Sequence, residues 1–80
     1  MTVTFVFNDI NWGEHAHDEI KIIKNYTPSN DYEGTDIEVN GKYMGGDITT
    51  SEAVRNVFGE DLGAWLLMHA NAGKLVKGIK

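Results

Sequence analysis

Hydrophobic and polar positions alternate from the start of the chain. Val3, Phe5 and Phe7 fall on one side of an extended backbone and Thr2, Thr4 and Val6 on the other, which predicts a half-buried strand over residues 2–8. Residues 9–18 break the alternation with Asn, Gly, Asp and His around Ile10 and Trp12, and read as a loop. The period of two returns at Glu19–Tyr26, with Ile20 and Ile22 on one side and Lys21 and Ile23 on the other. Thr27-Pro28-Ser29-Asn30-Asp31 is dense in turn formers, and the loop is expected to run on to Gly34. A hairpin follows. Asn40-Gly41 suits a two-residue type I′ turn, because both residues tolerate positive φ and the twist of that turn matches its strands. In that register Val39 faces Lys42, Glu38 faces Tyr43 and Ile37 faces Met44, and Gly45-Gly46 ends the strand.

The period then changes. Thr49-Thr50-Ser51-Glu52 has the form of a capping box, with the Thr49 hydroxyl accepting from the Glu52 amide and the Glu52 carboxylate reaching back to satisfy a second donor. Ala53, Val54, Val57 and Phe58 recur at helical spacing, and Gly59 is a natural stop. Glu60 and Asp61 suit the first turn of a second helix, which continues through Leu62–Ala72 and closes at Gly73. KLVKGIK, residues 74–80, is a tail or a last short strand. The expected fold is α+β: one domain over residues 1–80, in ββββαα order, with a four-stranded, mostly antiparallel sheet and two helices packed on one face. Ala64-Trp65-Leu66-Leu67-Met68 is apolar at five consecutive positions, a run that covers every side of a helix. Either the sheet and first helix bury all of it, or Trp65, Leu67 and Met68 are left to form a protein interface or a homodimer seam.

Composition narrows the function classes. The hydrophobic share of 41% and charged share of 24% are those of an ordinary globular domain. No cysteine occurs, which excludes disulfides, cysteine-ligated zinc, iron–sulfur clusters and thiol catalysis. The N-terminus lacks the form of a signal peptide, and no apolar run reaches the ~18 residues of a membrane span, so a cytoplasmic location and no membrane partner are expected. The net charge of −5 is unevenly placed. All twelve acids lie between Asp9 and Asp61 with only Lys21, Lys24, Lys42 and Arg55 beside them, so residues 1–73 carry −8. Such a body repels nucleic-acid phosphates and steers a basic protein toward it.

Candidate chemistry is sparse. In Gly13-Glu14-His15-Ala16-His17-Asp18-Glu19, two histidines one residue apart lie among acids. Metal or ligand binding by His15 and His17 is one reading, with an oxygen ligand from Glu14, Asp18 or Glu19. A metal site needs a third and usually a fourth ligand, and His69, the only other histidine, is not placed beside them by the pattern. The segment therefore reads first as a mobile, acid-flanked surface loop, with no metal or cofactor. Ser29 and Ser51 fall in a turn and a first helical turn without a nucleophile-elbow pattern, and the chain is not expected to be an enzyme. Gly45-Gly46-Asp47 has no helix-opening Lys-Ser/Thr after it and is no phosphate loop. Asp31, Glu33, Asp36 and Glu38, with Tyr32 and Tyr43 nearby, form an acidic belt on the loop and hairpin face opposite Ile37 and Val39. Acids interleaved with tyrosines suit a basic protein groove.

Val39–Asp47, VNGKYMGGD, resembles a stretch of the glutaredoxins, an NGK turn followed by Gly-Gly-Asp before a helix. The active-site cysteine and the preceding proline of that family are missing here, and the likeness is assigned to shared hairpin chemistry. In size, acidity, lack of cysteine and hairpin-then-helix order, the whole chain resembles phage-encoded anti-defence proteins, including anti-CRISPR inhibitors. That resemblance implies a viral protein in the host cytoplasm that inhibits by binding a protein partner and blocking its basic, nucleic-acid-handling surface. The partner-binding residues would be Asp31, Tyr32, Glu33, Asp36, Glu38 and Tyr43, with Trp65, Leu67 and Met68 on the second helix. The alternative is an assembly subunit that homo-oligomerises through that helix.

Overall fold

The computed structural model describes residues 1–69 and 74–78. Strands β1 (Thr2–Asn8), β2 (Glu19–Tyr26), β3 (Tyr32–Val39) and β4 (Lys42–Asp47) are followed by one helical element, α1 (Thr50–Met68), and by β5 (Lys74–Gly78). The class is α+β. The sheet runs β4-β3-β2-β1-β5 with every neighbouring pair antiparallel. The expected four strands are thus joined by a fifth: Lys74–Gly78, which a local pattern leaves open between tail and strand, pairs along β1 from Thr2↔Gly78 to Val6↔Lys74.

The hairpin forms at the residues that favour it, with Asn40 at φ 54° and Gly41 at φ 82°. Val39↔Lys42 and Glu38↔Tyr43 pair as the turn dictates. The third expected pair does not form. A bulge makes Met44 the extra residue, Ile37 pairs with Gly45, and Met44 stands 49% exposed. β3 also begins earlier than expected, at Tyr32, so Glu33 and Gly34 belong to the strand and not to the loop before it.

The helical pattern predicts two helices with a stop at Gly59, and α1 is one continuous element of two helical limbs divided at that residue. Gly59 has φ 85° and ψ 176°, a left-handed position that glycine adopts at little cost. A Cβ placed on Gly63 would lie 3.2 Å from the Arg55 Cα. In a straight helix those residues would be separated by about 12 Å of rise. The two limbs therefore fold back on each other at Gly59, and Gly63 permits their close approach. At the start of α1, the Thr49 Oγ1 accepts from the Glu52 amide at 3.1 Å, which is the Thr49 half of the expected capping box. The helix ends at Met68 with His69 as its cap; the expected continuation, positions 70–73, lies outside the described residues.

Register fixes what each sheet face carries. Phe5, Ile22 and Ile37 lie side by side on one face, as do Phe7, Ile20 and Val39. Phe7, Ile20, Ile22 and Ile37 are buried there in one cluster with Ile10 and with Ala53, Val54, Leu62 and Leu66 of both limbs of α1. The other face carries Thr4, Ile23 and Asp36 in one row and Val6, Lys21, Glu38 and Tyr43 in the next. No helix among the described residues is long and apolar enough to cross a membrane.

Candidate functional site

The acidic positions divide when the chain folds. Asp36 and Glu38, two residues apart on β3, share the second sheet face with Tyr43 of β4 and Lys21 of β2. Asn25 Nδ2 donates to Asp36 Oδ2 at 3.0 Å, which fixes that carboxylate and leaves Oδ1 to face Gly46. A Cβ on Gly46 would meet Asp36 Oδ1 at 2.7 Å and the Tyr43 hydroxyl at 3.1 Å, so acid and phenol flank one glycine. Glu38 sits opposite both Lys21 and Tyr43 in the register. The Tyr43 ring is 61% exposed. This patch sets the Asn25-held Asp36 carboxylate and Glu38 beside an aromatic ring, over the half-buried Ile23, Thr4 and Val6.

Tyr32, Asp31 and Glu33 do not join it. The Tyr32 hydroxyl bonds to Thr35 Oγ1, on the core-side face of β3, and reaches Thr50 Oγ1 at 3.4 Å at the start of α1. Its ring meets Tyr26 edge-on at 5.8 Å. The register with β2 shifts between Gly34 and Tyr32, leaving Glu33 as an extra residue, and this breaks the alternation between Tyr32 and Asp36. Asp31 is exposed in the turn before β3, where Thr27 Oγ1 accepts its amide at 3.1 Å, and Glu33 is exposed at the start of the strand.

The apolar helical positions divide as well. Trp65 is half-buried in an aromatic group, with ring centroids 6.4 Å from Phe7, 5.9 Å from Trp12 and 4.5 Å from His69, on which it stacks. Leu67 packs against the core. Met68 alone of the three is open to solvent, at 76%. Of the two alternatives for this run, packing against sheet and first limb holds for Trp65 and Leu67, and exposure holds for Met68. Beside Trp65 a solvent-open cleft of about 360 Å³ is lined by Asn8, Asp9, Asn11 and His69 among others.

The two histidines part company. Gly13–His15 forms a 3-10 turn within the connection between β1 and β2. The His15 ring meets Phe58 edge-on at 5.4 Å and its Nδ1 lies 3.0 Å from Asp18 Oδ2. Asn40 Nδ2 donates to Asp18 Oδ1 at 2.9 Å, and Asn40 Oδ1 accepts the Glu19 amide at 2.9 Å. The Asn40 amide, and after it the His15 ring, hold the Asp18 carboxyl below the usual carboxylate range. His17 is exposed. Among the described residues no group of three or more His, Asp or Glu is placed to hold a metal ion.

Two exposed apolar residues escape the pattern altogether. Met44 is turned out by the bulge, and Ile48, just before the Thr49 cap, is 76% exposed. With Tyr43 they line the β4 edge. Comparison with protein-family models, with curated proteins and with solved structures found no match for this chain.

Proposed function

We propose that this chain is a small acidic binding module that acts by occupying a basic surface of a protein partner. One observation carries the reading: the sheet face away from the buried cluster holds Asp36 and Glu38 in fixed register around the exposed Tyr43 ring. A carboxylate pair beside a rigid aromatic ring meets Lys and Arg side chains by charge and by ring contact together, at small conformational cost. Asp31 and Glu33, exposed at the start of β3 and off that face, add negative charge beside it, while the Tyr32 hydroxyl is turned to Thr35 and Thr50. The −8 carried by residues 1–73 steers a cationic partner and repels nucleic acid itself. The likeness in size and acidity to phage anti-defence proteins points to an inhibitor met in the host cytoplasm, and to an effector whose nucleic-acid-handling surface is blocked. Binding, not catalysis, is the proposed mode of action.

The test compares two baits against host extract: the native chain and a Glu33→Lys, Asp36→Lys, Glu38→Lys variant. The partner retained by the native chain should bind the variant more weakly and with a smaller dependence on salt. Equal affinity at every ionic strength would remove the acidic face from the mechanism.

A second reading, assembly through the helix, draws only on Met68, since Trp65 and Leu67 pack inward. Metal binding by His15 and His17 draws less, because the His15 ring is already engaged by Asp18 and Phe58.

A further inference from the structure

β4 is an outer strand of the sheet, and an outer strand offers unpaired backbone groups to another chain. Among the described residues six large apolar side chains are exposed; Tyr43, Met44 and Ile48, three of them, fall within six positions on or just after β4. The strand is also complementary to itself. Laid antiparallel on a copy, with the two-fold axis between Met44 and Gly45, Lys42 meets the copy's Asp47, Tyr43 meets Gly46, and Met44 meets Gly45. Cation meets anion, and each large side chain meets a residue with none.

The bulge makes that arrangement stereochemically consistent. In a regular strand, residues five apart point to opposite faces and could not pair across a two-fold axis normal to the sheet. Here Lys42 pairs with Val39 and Asp47 with Thr35, and those two β3 residues share a face. The extra residue at Met44 thus returns Lys42 and Asp47 to one face. Tyr43 and Gly46, opposite Glu38 and Asp36, return to the other. A bulge and a lysine commonly protect an edge from pairing. This bulge instead brings the edge into register with itself.

We infer that the β4 edge is the contact by which two copies of this chain form a symmetric dimer. The sheets become continuous across the two-fold axis, and both acidic faces point the same way, doubling the charged surface on one side.

Sedimentation velocity over a wide range of concentration tests this with the full chain. The native chain should dimerise in a concentration-dependent manner. Lys42→Asp sets a carboxylate against Asp47 in both halves of the contact, and Asp47→Lys sets an ammonium group against Lys42; each should weaken self-association by about tenfold or more. Mixed in equal amounts, the two variants present only opposite charges to one another and should associate again as a heterodimer. Asp47 also accepts from the Asn56 side chain at 3.2 Å and from the Ile48 amide, so Met44→Glu, which touches neither bond, serves as an independent disrupting variant. Circular dichroism checks that each variant is folded. A native chain that stays monomeric at all concentrations overturns the inference. So does a dimer indifferent to all three variants, or one that Met68→Glu dissociates instead.

Discussion

The two faces of the sheet are made by the same strands and differ by one residue in register. On β2, Ile22 is 1% exposed beneath α1, while its neighbour Ile23 is half-buried beside Thr4 and Asp36. One face closes a core, and the other keeps apolar side chains low and charges high. The contrast teaches where the chain places its stability and where it is free to recognise something else. Substitutions under α1 should unfold it, and substitutions opposite should leave it standing.

Ile22→Ala should give the largest loss, about 2–5 kcal/mol, because it opens a cavity among residues that cannot collapse into it. Ile23→Ala should cost about 1 kcal/mol or less by the same chemical denaturation, since much of its surface already meets water. Equal losses would mean that the second face is also covered in solution, as by a partner or another copy. Gly59→Ala should fall between the two, at about 1–3 kcal/mol, because φ 85° with ψ 176° is a backbone conformation essentially reserved to glycine. Thermal melting measures it. No change would show that the break is not needed to bring Arg55 and Gly63 together.

The smallest effect belongs to Asp18. Its carboxyl is held below the ordinary range in the folded chain, first by Asn40 and then by His15. A carboxylate with a depressed folded pKa contributes stability above its unfolded pKa, and that contribution fades as the pH falls through the folded value. Asp18→Asn should therefore melt below the native chain near neutrality. The gap should narrow once the pH falls below about 4. A gap that stays constant into acid would assign the effect to shape rather than charge.

Much of this was legible where a local signal is strong. Asn40-Gly41 named its own turn, and the alternation of Ile20, Lys21, Ile22 and Ile23 fixed the faces of β2. Legibility failed where glycine carries no polarity. Met44-Gly45-Gly46 hid a bulge, and Glu33-Gly34 hid the register shift at which Tyr32 leaves the row of Asp36 and Glu38. Gly59 was visible as a stop, but the pattern cannot tell a stop between two helices from a fold-back within one. Of the candidate residues, Glu38 and Tyr43 pair as the turn dictates, whereas Asp36, beyond the bulge, pairs with Gly46 and not with the Gly45 that the turn alone would give. The site was not legible at Ile48, whose exposure depends on how the chain enters α1. β5 was hidden for another reason: its partner lies at the far end of the sequence, and no local pattern reports a pairing of that range.

That pairing also orders events in time. During synthesis β1 emerges first and can pair with β2 soon afterwards, yet its outer edge has no neighbour until Lys74–Gly78 have been made. Contacts of such long sequence separation close late in folding, after the loop entropy has been met. Until β5 is in place, the outer edge of Thr2–Asn8 has no strand beside it and is open to mispairing with other chains.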